Sequence, residues 1–309
     1  MSHDIRLISP VSDDVVDIIS LFVSSDPGHN RSKAYYKYTD FSGHDDTIRV
    51  IAKNKKGMVV GHYSILLLEF GFKNKLYKVG YAQQAIIHNK YRNLKLISEL
   101  HEFAIGKASD KKLDFIFAFS NDNFLKIKTN LFGWHDLGSF YSDVIDLHMI
   151  NFKVNHEIEE LKKFEHGFKL NQNKVSIIKS SNYLNHRLLK NPIDHYKTFI
   201  IKSSKNIVTG YISLKFYKSN NELVGHFIDF EANSNSMMES LVAKAKEYLI
   251  FYGVHKVIFW NRTEYQELFS PYITGKGFSS NFIIKDIVGN REILNKELWS
   301  LPMILSDTF

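Results

Sequence analysis

The chain has 309 residues, 44% of them apolar, with 24 Phe, 16 Tyr, no Cys and a net charge of +7. Such a length and apolar content allow two ordinary domains or one large one, with a sizeable core, and argue against a disordered chain. The absence of Cys excludes disulfides, thiolate metal sites and a thiolate nucleophile.

In chain order, residues 5–9 read as a short strand. Residues 13–23 carry Val15, Val16, Ile18, Ile19, Phe22 and Val23 at helical spacing, with Ser12 or Asp13 as cap. A turn-rich stretch, 24–31, leads to a short helix around Tyr35, Tyr36 and Tyr38. Residues 47–52 and 58–68 pair as a hairpin about the turn 53–57. The strand region 76–88 stops at the polar turn 89–93, and apolar spacing then resumes at Leu96, Ile97, Leu100, Phe103 and Ala104. That change of period predicts strand, tight turn and helix. The helix start offers unpaired N–H groups and a partial positive charge, which suit a phosphate, and Arg92 and Lys95 add full charges. The apolar run 115–119 reads as a strand covered on both faces. A helix over 121–130, ended before Gly133, and a strand over 139–147 follow.

Beyond a polar stretch, 151–173, the pattern repeats. Residues 206–214 answer 57–65, with Gly210 facing Gly61 and Ser213 facing Ser64. The strand 223–230 answers the one ending at His88, the helix 240–253 answers 99–111, 256–261 answers 115–120, and Gly277-Phe278 answers Gly133-Trp134. Five segments in order at a nearly constant offset, 141 to 149 residues, predict two copies of one fold. Each copy mixes strands and helices, α/β or α+β in class. The predicted domains are 1–150 and 174–309, joined by a linker over 151–173.

Three motifs carry a family resemblance. Ile87-His88-Asn89-Lys90-Tyr91-Arg92 is similar to the "V-H-P-x-Y-R" that opens the acyl-CoA loop of GNAT acyltransferases. Phe119-Ser120-Asn121 resembles their "F-P-N", and Leu131-Phe132-Gly133-Trp134 resembles their closing "L-G-F/W". Together these span most of residues 5–150. The resemblance implies two GNAT-like domains in tandem, each a mostly antiparallel central sheet flanked by helices. It places acyl-CoA, without a metal, in the first copy, at Ala85, Ile86, Ile87, His88, Arg92, Asn93, Leu94, Lys95, Leu96 and Asn121. The family's loop glycines are missing here: Asn93, Leu94 and Lys95 stand in their place. The second copy reads Asp229-Phe230-Glu231-Ala232-Asn233-Ser234-Asn235 at the corresponding point, acidic and without a base. Its carboxylates are expected to repel a diphosphate.

The implied reaction is direct attack of an amine on the thioester. Candidates for its base are His62, Gln83, Gln84 and His88; Gln83 and Gln84 alternate along a strand, so only one faces the cleft. Thr129 stands where the family places a Tyr that protonates the thiolate. Tyr35, Tyr36, Tyr38 and Phe41 either line an acceptor site or form the core of a small helix. The net charge suits a solvated surface and equally a phosphorylated ligand. The resemblance is nearest to N-acyltransferases acting on nucleotide-linked amino sugars such as dTDP-3-amino-3,6-dideoxyhexose, with acetyl- or 3-hydroxybutyryl-CoA as donor. Another small-molecule amine, or an aminoacyl-tRNA-dependent transfer, is the alternative. No signal peptide or membrane-length apolar run is present. The expectation is a cytoplasmic monomer or homodimer, binding neither nucleic acid nor membrane.

Overall fold

The computed structural model describes residues 3–9, 12–25, 32–39, 47–168, 173–192, 196–219 and 222–305. Phe41 and most of the predicted turn 24–31 lie outside them. The chain forms two compact units: Met1–Gly138 with Asn281–Glu297, and Ser139–Ser280 with Leu298–Phe309. The stretch 151–173, read from the sequence as a linker, belongs to the second unit, where Leu161 and Phe164 are buried. Residues 281–297, expected in the second copy, belong to the first.

In the first unit, β1 (Asp4–Leu7), β2 (Ile48–Lys53), β3 (Val59–Phe72) and β4 (Lys75–Ile87) are antiparallel neighbours in sequence order. β5 (Phe115–Ser120) then joins β4 in parallel, a pairing that needs the helical crossover between them. Residues Asn281 to Asp286 close the sheet by pairing antiparallel with β5. Two helices, α1 (Asp14–Ser25) and α2 (Lys33–Thr39), precede β2. Val15, Ile18, Leu21, Phe22 and Tyr36 pack with Ile51 and Val59 on one sheet face. The crossover helix α3 (Leu94–Asp110) buries Leu96, Ile97, Leu100, Ala104 and Ala108, an i, i+4 stripe, against the other face. Helix α4 (Asp122–Phe132) ends at Gly133, whose φ of 63° is the left-handed cap that glycine accepts without strain.

The second unit repeats the plan. Here β6 (His135–Asp146) contributes its residues from Ser139 onward, and α5 (Ser181–Leu189) leads into β7 (Lys197–Lys202). β7, β8 (Val208–Ser219) and β9 (Glu222–Ala232) form an antiparallel meander. After the crossover helix α6 (Asn235–Phe251), β10 (Lys256–Trp260) pairs in parallel with β9 and antiparallel with β6. The first residues of β11 (Ile273–Asp286) lie beside β6, where Ser142 Oγ donates to Phe278 O at 3.0 Å. The predicted duplication is therefore present, with Gly61 opposite Ile87 in one copy and Gly210 opposite Ala232 in the other.

Candidate active site

The site begins where two parallel strands stop pairing. β4 and β5 are joined at Val79–Phe115, Gly80–Ile116 and Tyr81–Phe117, and no further rung follows. From Ala82 onward β4 keeps β3 on one side and has no strand partner on the other among the described residues. A bulge sits in this stretch: His62 faces Ile86 and Ser64 faces Gln83, so Gln84 and Ala85 together oppose Tyr63. Gln84 holds a positive φ of 54°, an uncommon conformation for a residue with a Cβ. The bulge breaks the simple alternation expected of Gln83 and Gln84.

A cleft of about 510 Å³ occupies this wedge, lined by Ala85, Ile86 and Ile87 of β4, Arg92 to Leu94 and Ile97 around the α3 start, and Asn121, Asn123, Phe124 and Ile127 of α4. Arg92 is the only charged residue in that lining. Its Nε donates to Ile87 O at 3.2 Å, which fixes the guanidinium at the mouth. Asn93 caps α3 by accepting from Leu96 N at 2.9 Å, and Ile97 N donates to Asn93 O. The N–H groups of Leu94 and Lys95 are left for an outside acceptor. The cleft thus combines a cation and a helix start at one end, apolar walls along its length and open strand backbone on one side. Those are the partners that a diphosphate followed by an amide-bearing apolar arm requires.

The predicted residues divide cleanly. Ala85, Ile86, Ile87, Arg92, Asn93, Leu94 and Asn121 line the cleft; Asn121 also caps α4 through Phe124 N at 2.9 Å. Leu96 does not line it: its side chain is in the core and its N–H is taken by Asn93. Lys95 pairs with Glu99 at 3.8 Å, and His88 Nδ1 accepts from Lys90 N at 3.2 Å, steadying the turn. Thr129 donates its hydroxyl to Leu125 O at 2.9 Å, back along its own helix. Gln83 precedes the bulge and Gln84 lies in it, both outside the lining. Tyr36 and Tyr38 are buried in the helix, and half-buried Tyr35 lies 6.1 Å from the Tyr38 ring. Buried His62 has a settled tautomer: Nδ1 donates to Val50 O at 3.1 Å, leaving Nε2 to accept from the Tyr36 hydroxyl at 3.5 Å.

Sequence reasoning missed Lys128 and the groups around it. Lys128 is buried on α4 with its ammonium among rings, and burial brings its pKa down to about 7. A lysine on a polar helix ordinarily reads as surface. The available signal was its position four residues after Phe124, on the same face.

The second unit builds the same wedge and fills it. β9 and β10 pair from Val224–Lys256 to Phe227–Phe259 and then part. Arg262 reaches in, donating through NH2 to Phe230 O and through NH1 to Glu231 Oε2 at 2.9 Å. The Tyr265 hydroxyl accepts from Ala232 N at 2.9 Å. Lys179 bonds Asp229 at 2.7 Å, Glu231 at 3.0 Å and the Tyr211 hydroxyl at 2.8 Å. Burial pushes the Glu231 pKa up, but Arg262 and Lys179 outweigh it and hold it at about 2. The expected repulsion by unpaired acids is therefore corrected: these carboxylates are neutralised inside the unit, and side chains occupy the space.

No family model and no curated protein matches the sequence. Solved structures do. A probable N-acyltransferase of unknown function from Enterococcus faecalis V583 matches with a TM-score of 0.71 at 9% identity, over 93% of this chain and 72% of that one. A GCN5-related N-acetyltransferase from Anabaena variabilis ATCC 29413 gives 0.70 at 12% identity, over 92% and 73%. The N-myristoyltransferase of Saccharomyces cerevisiae with bound myristoyl-CoA gives 0.64 at 9% identity, over 92% and 82%. These similarities show the fold: mixed α/β units of the GNAT type in tandem, as the motifs implied.

Proposed function

We propose that this chain is an acyl-CoA-dependent N-acyltransferase whose donor site is the wedge of the first unit. The observation that carries the reading is the open cleft beside the bulge, with Arg92 and the α3 start at its mouth and no acid in its lining. In this reading the CoA diphosphate rests on the N–H groups of Leu94 and Lys95 and on Arg92. Pantetheine runs along the backbone of Ala85 to Ile87, which lacks a strand partner on that side. The thioester then lies at the deep end, by the bulge, where a backbone N–H can steady the developing oxyanion. The amine attacks directly, without a covalent enzyme intermediate.

The proposed acceptor is the amino group of a nucleotide-linked amino sugar of the dTDP-3-amino-3,6-dideoxyhexose kind, and the group moved is acetyl or 3-hydroxybutyryl. The three motifs and the net positive charge support this choice, since the substrate carries a diphosphate. The test is thiol release by the purified chain from acetyl- and 3-hydroxybutyryl-CoA, with amino-sugar nucleotides, simple amines and aminoacyl-tRNA as acceptors. Release with the sugar nucleotide alone supports the full reading. Release with another acceptor keeps the transfer and replaces the substrate, and no release from any acyl-CoA refutes it.

A further inference from the structure

Lys128 is the group in the first unit that packing does not explain. Its Nζ lies 4.1 Å from the Trp134 ring centre, 4.9 Å from that of Phe124 and 5.8 Å from that of Tyr63. Cation–π contact recovers part of the cost of burying an ammonium, yet Met or Leu would fill such a cage without that cost.

Among the described residues, the groups facing it supply no counter-charge. Tyr63, from β3, is fully buried, and burial raises its pKa, so the phenol stays neutral. His101, from α3, accepts the Trp134 indole N–H on Nε2 at 2.9 Å, which leaves its proton on Nδ1. Burial, then the charges of Lys128 and Lys285, lowers the His101 pKa to about 3. Lys285 spends its own protons on Phe132 O at 2.8 Å and Gly133 O at 3.3 Å. The Tyr63 hydroxyl and His101 Nδ1 are buried without a hydrogen-bond partner among the described residues.

Two rings of this cage border the region where the thioester is placed. Phe124 lines the cleft, and Tyr63 stands opposite the Gln84–Ala85 bulge, whose Ala85 also lines it. Thr129, the proton donor expected from the sequence, is turned away to Leu125 O. Resting on the acyl-transfer reading, we propose that Lys128 gives the departing CoA thiolate its proton. The amine nitrogen bonds to the carbonyl carbon, and as the C–S bond breaks its electron pair passes to sulfur. Sulfur takes a proton from Lys128 and leaves as the thiol. The new amide nitrogen sheds one proton to solvent, and solvent returns one to Lys128. Thioester and amine thus become amide and thiol with the enzyme unchanged. The transfer requires the lysine stem to swing past Phe124, whose ring lies 4.9 Å from Nζ and lines the cleft, or one water beside that ring to carry the proton. With Lys128 near 7 and an ordinary thiol near about 8.5, the transfer runs downhill at neutral pH.

The test uses Lys128→Met and Lys128→Arg in the full chain, with melting curves to confirm folding, calorimetric titration with acyl-CoA, and kcat followed against pH by thiol release. Both variants are expected to bind acyl-CoA as the unaltered protein does and to lose about 100- to 10,000-fold in kcat. The decline of kcat above pH 7, where Lys128 loses its proton, should vanish with them. Arginine keeps the charge but holds its proton too tightly to give it up. An unchanged kcat and pH profile in Lys128→Met overturns the proposal, and so does full activity in Lys128→Arg, which alone decides the matter if the Met variant does not fold. If the unaltered protein binds no acyl-CoA, the cleft reading itself fails, and the proposal falls with it.

Discussion

The parallel pair of each unit holds for a few rungs, three in the first and four in the second, and then parts. Past that point the side chains that meet the parted strand differ between the two copies. In the first, Asn121 turns back to cap α4, and Phe124 forms a wall. In the second, the residues answering them at an offset of 141 are Arg262 and Tyr265, and both bond to the strand that the wedge would have exposed. One backbone device is thus a ligand cleft in one place and a cross-linked core in the other. In the second copy Phe230 O and Ala232 N of that strand already have side-chain partners within the unit.

That contrast can be broken from the plugged side first. Arg262→Ala removes a buried cation, leaves Glu231 with Lys179 as its remaining cation and takes the side-chain donor from Phe230 O, so the second unit should lose about 3–5 kcal/mol in denaturant unfolding. A loss below about 1 kcal/mol would mean that the plug is not structural.

The open side should respond in the opposite direction. Lys128 has its pKa lowered from 10.5 to about 7, so the unfolded chain holds that proton more tightly than the folded one. The resulting penalty is complete below about pH 7 and fades as pH rises toward 10.5. Lys128→Met should therefore stabilise the protein by about 2–4 kcal/mol at neutral pH, with the gain shrinking in melts run at higher pH. Destabilisation at pH 7 would show that the cage favours the cation.

A smaller effect sharpens the comparison at the cleft mouth. Arg92 is exposed and its guanidinium bonds to Ile87 O, so Arg92→Ala should leave the melting temperature unchanged while raising the KM for acyl-CoA about tenfold. An unchanged KM would remove Arg92 from the site.

Much of this was legible in the sequence, because period and turn chemistry are local. The change from strand to helix spacing across 79–100 located the cleft mouth, and the repeat located the second copy. What escaped was set by distance in the chain. Arg262 and Lys179 neutralise Asp229 and Glu231 from 31 and 50 residues away, and the acids alone suggested repulsion. Residues 281–286 complete the first sheet although they follow nearly the whole second copy. Tyr36 and Tyr38 looked available for stacking because a short amphipathic helix does not reveal which ring is buried. Lys128 was hidden by its type, since only the rings of Tyr63, Phe124 and Trp134 make it unusual.

The central claim is that one wedge accepts a CoA and the other does not. Calorimetric titration of CoA into the intact chain and into Ala85→Trp, which fills the first wedge with an indole, tests this most directly. The account predicts one site per chain, abolished in Ala85→Trp while the fold is retained. Two sites per chain, no site, or unchanged binding in Ala85→Trp would contradict it.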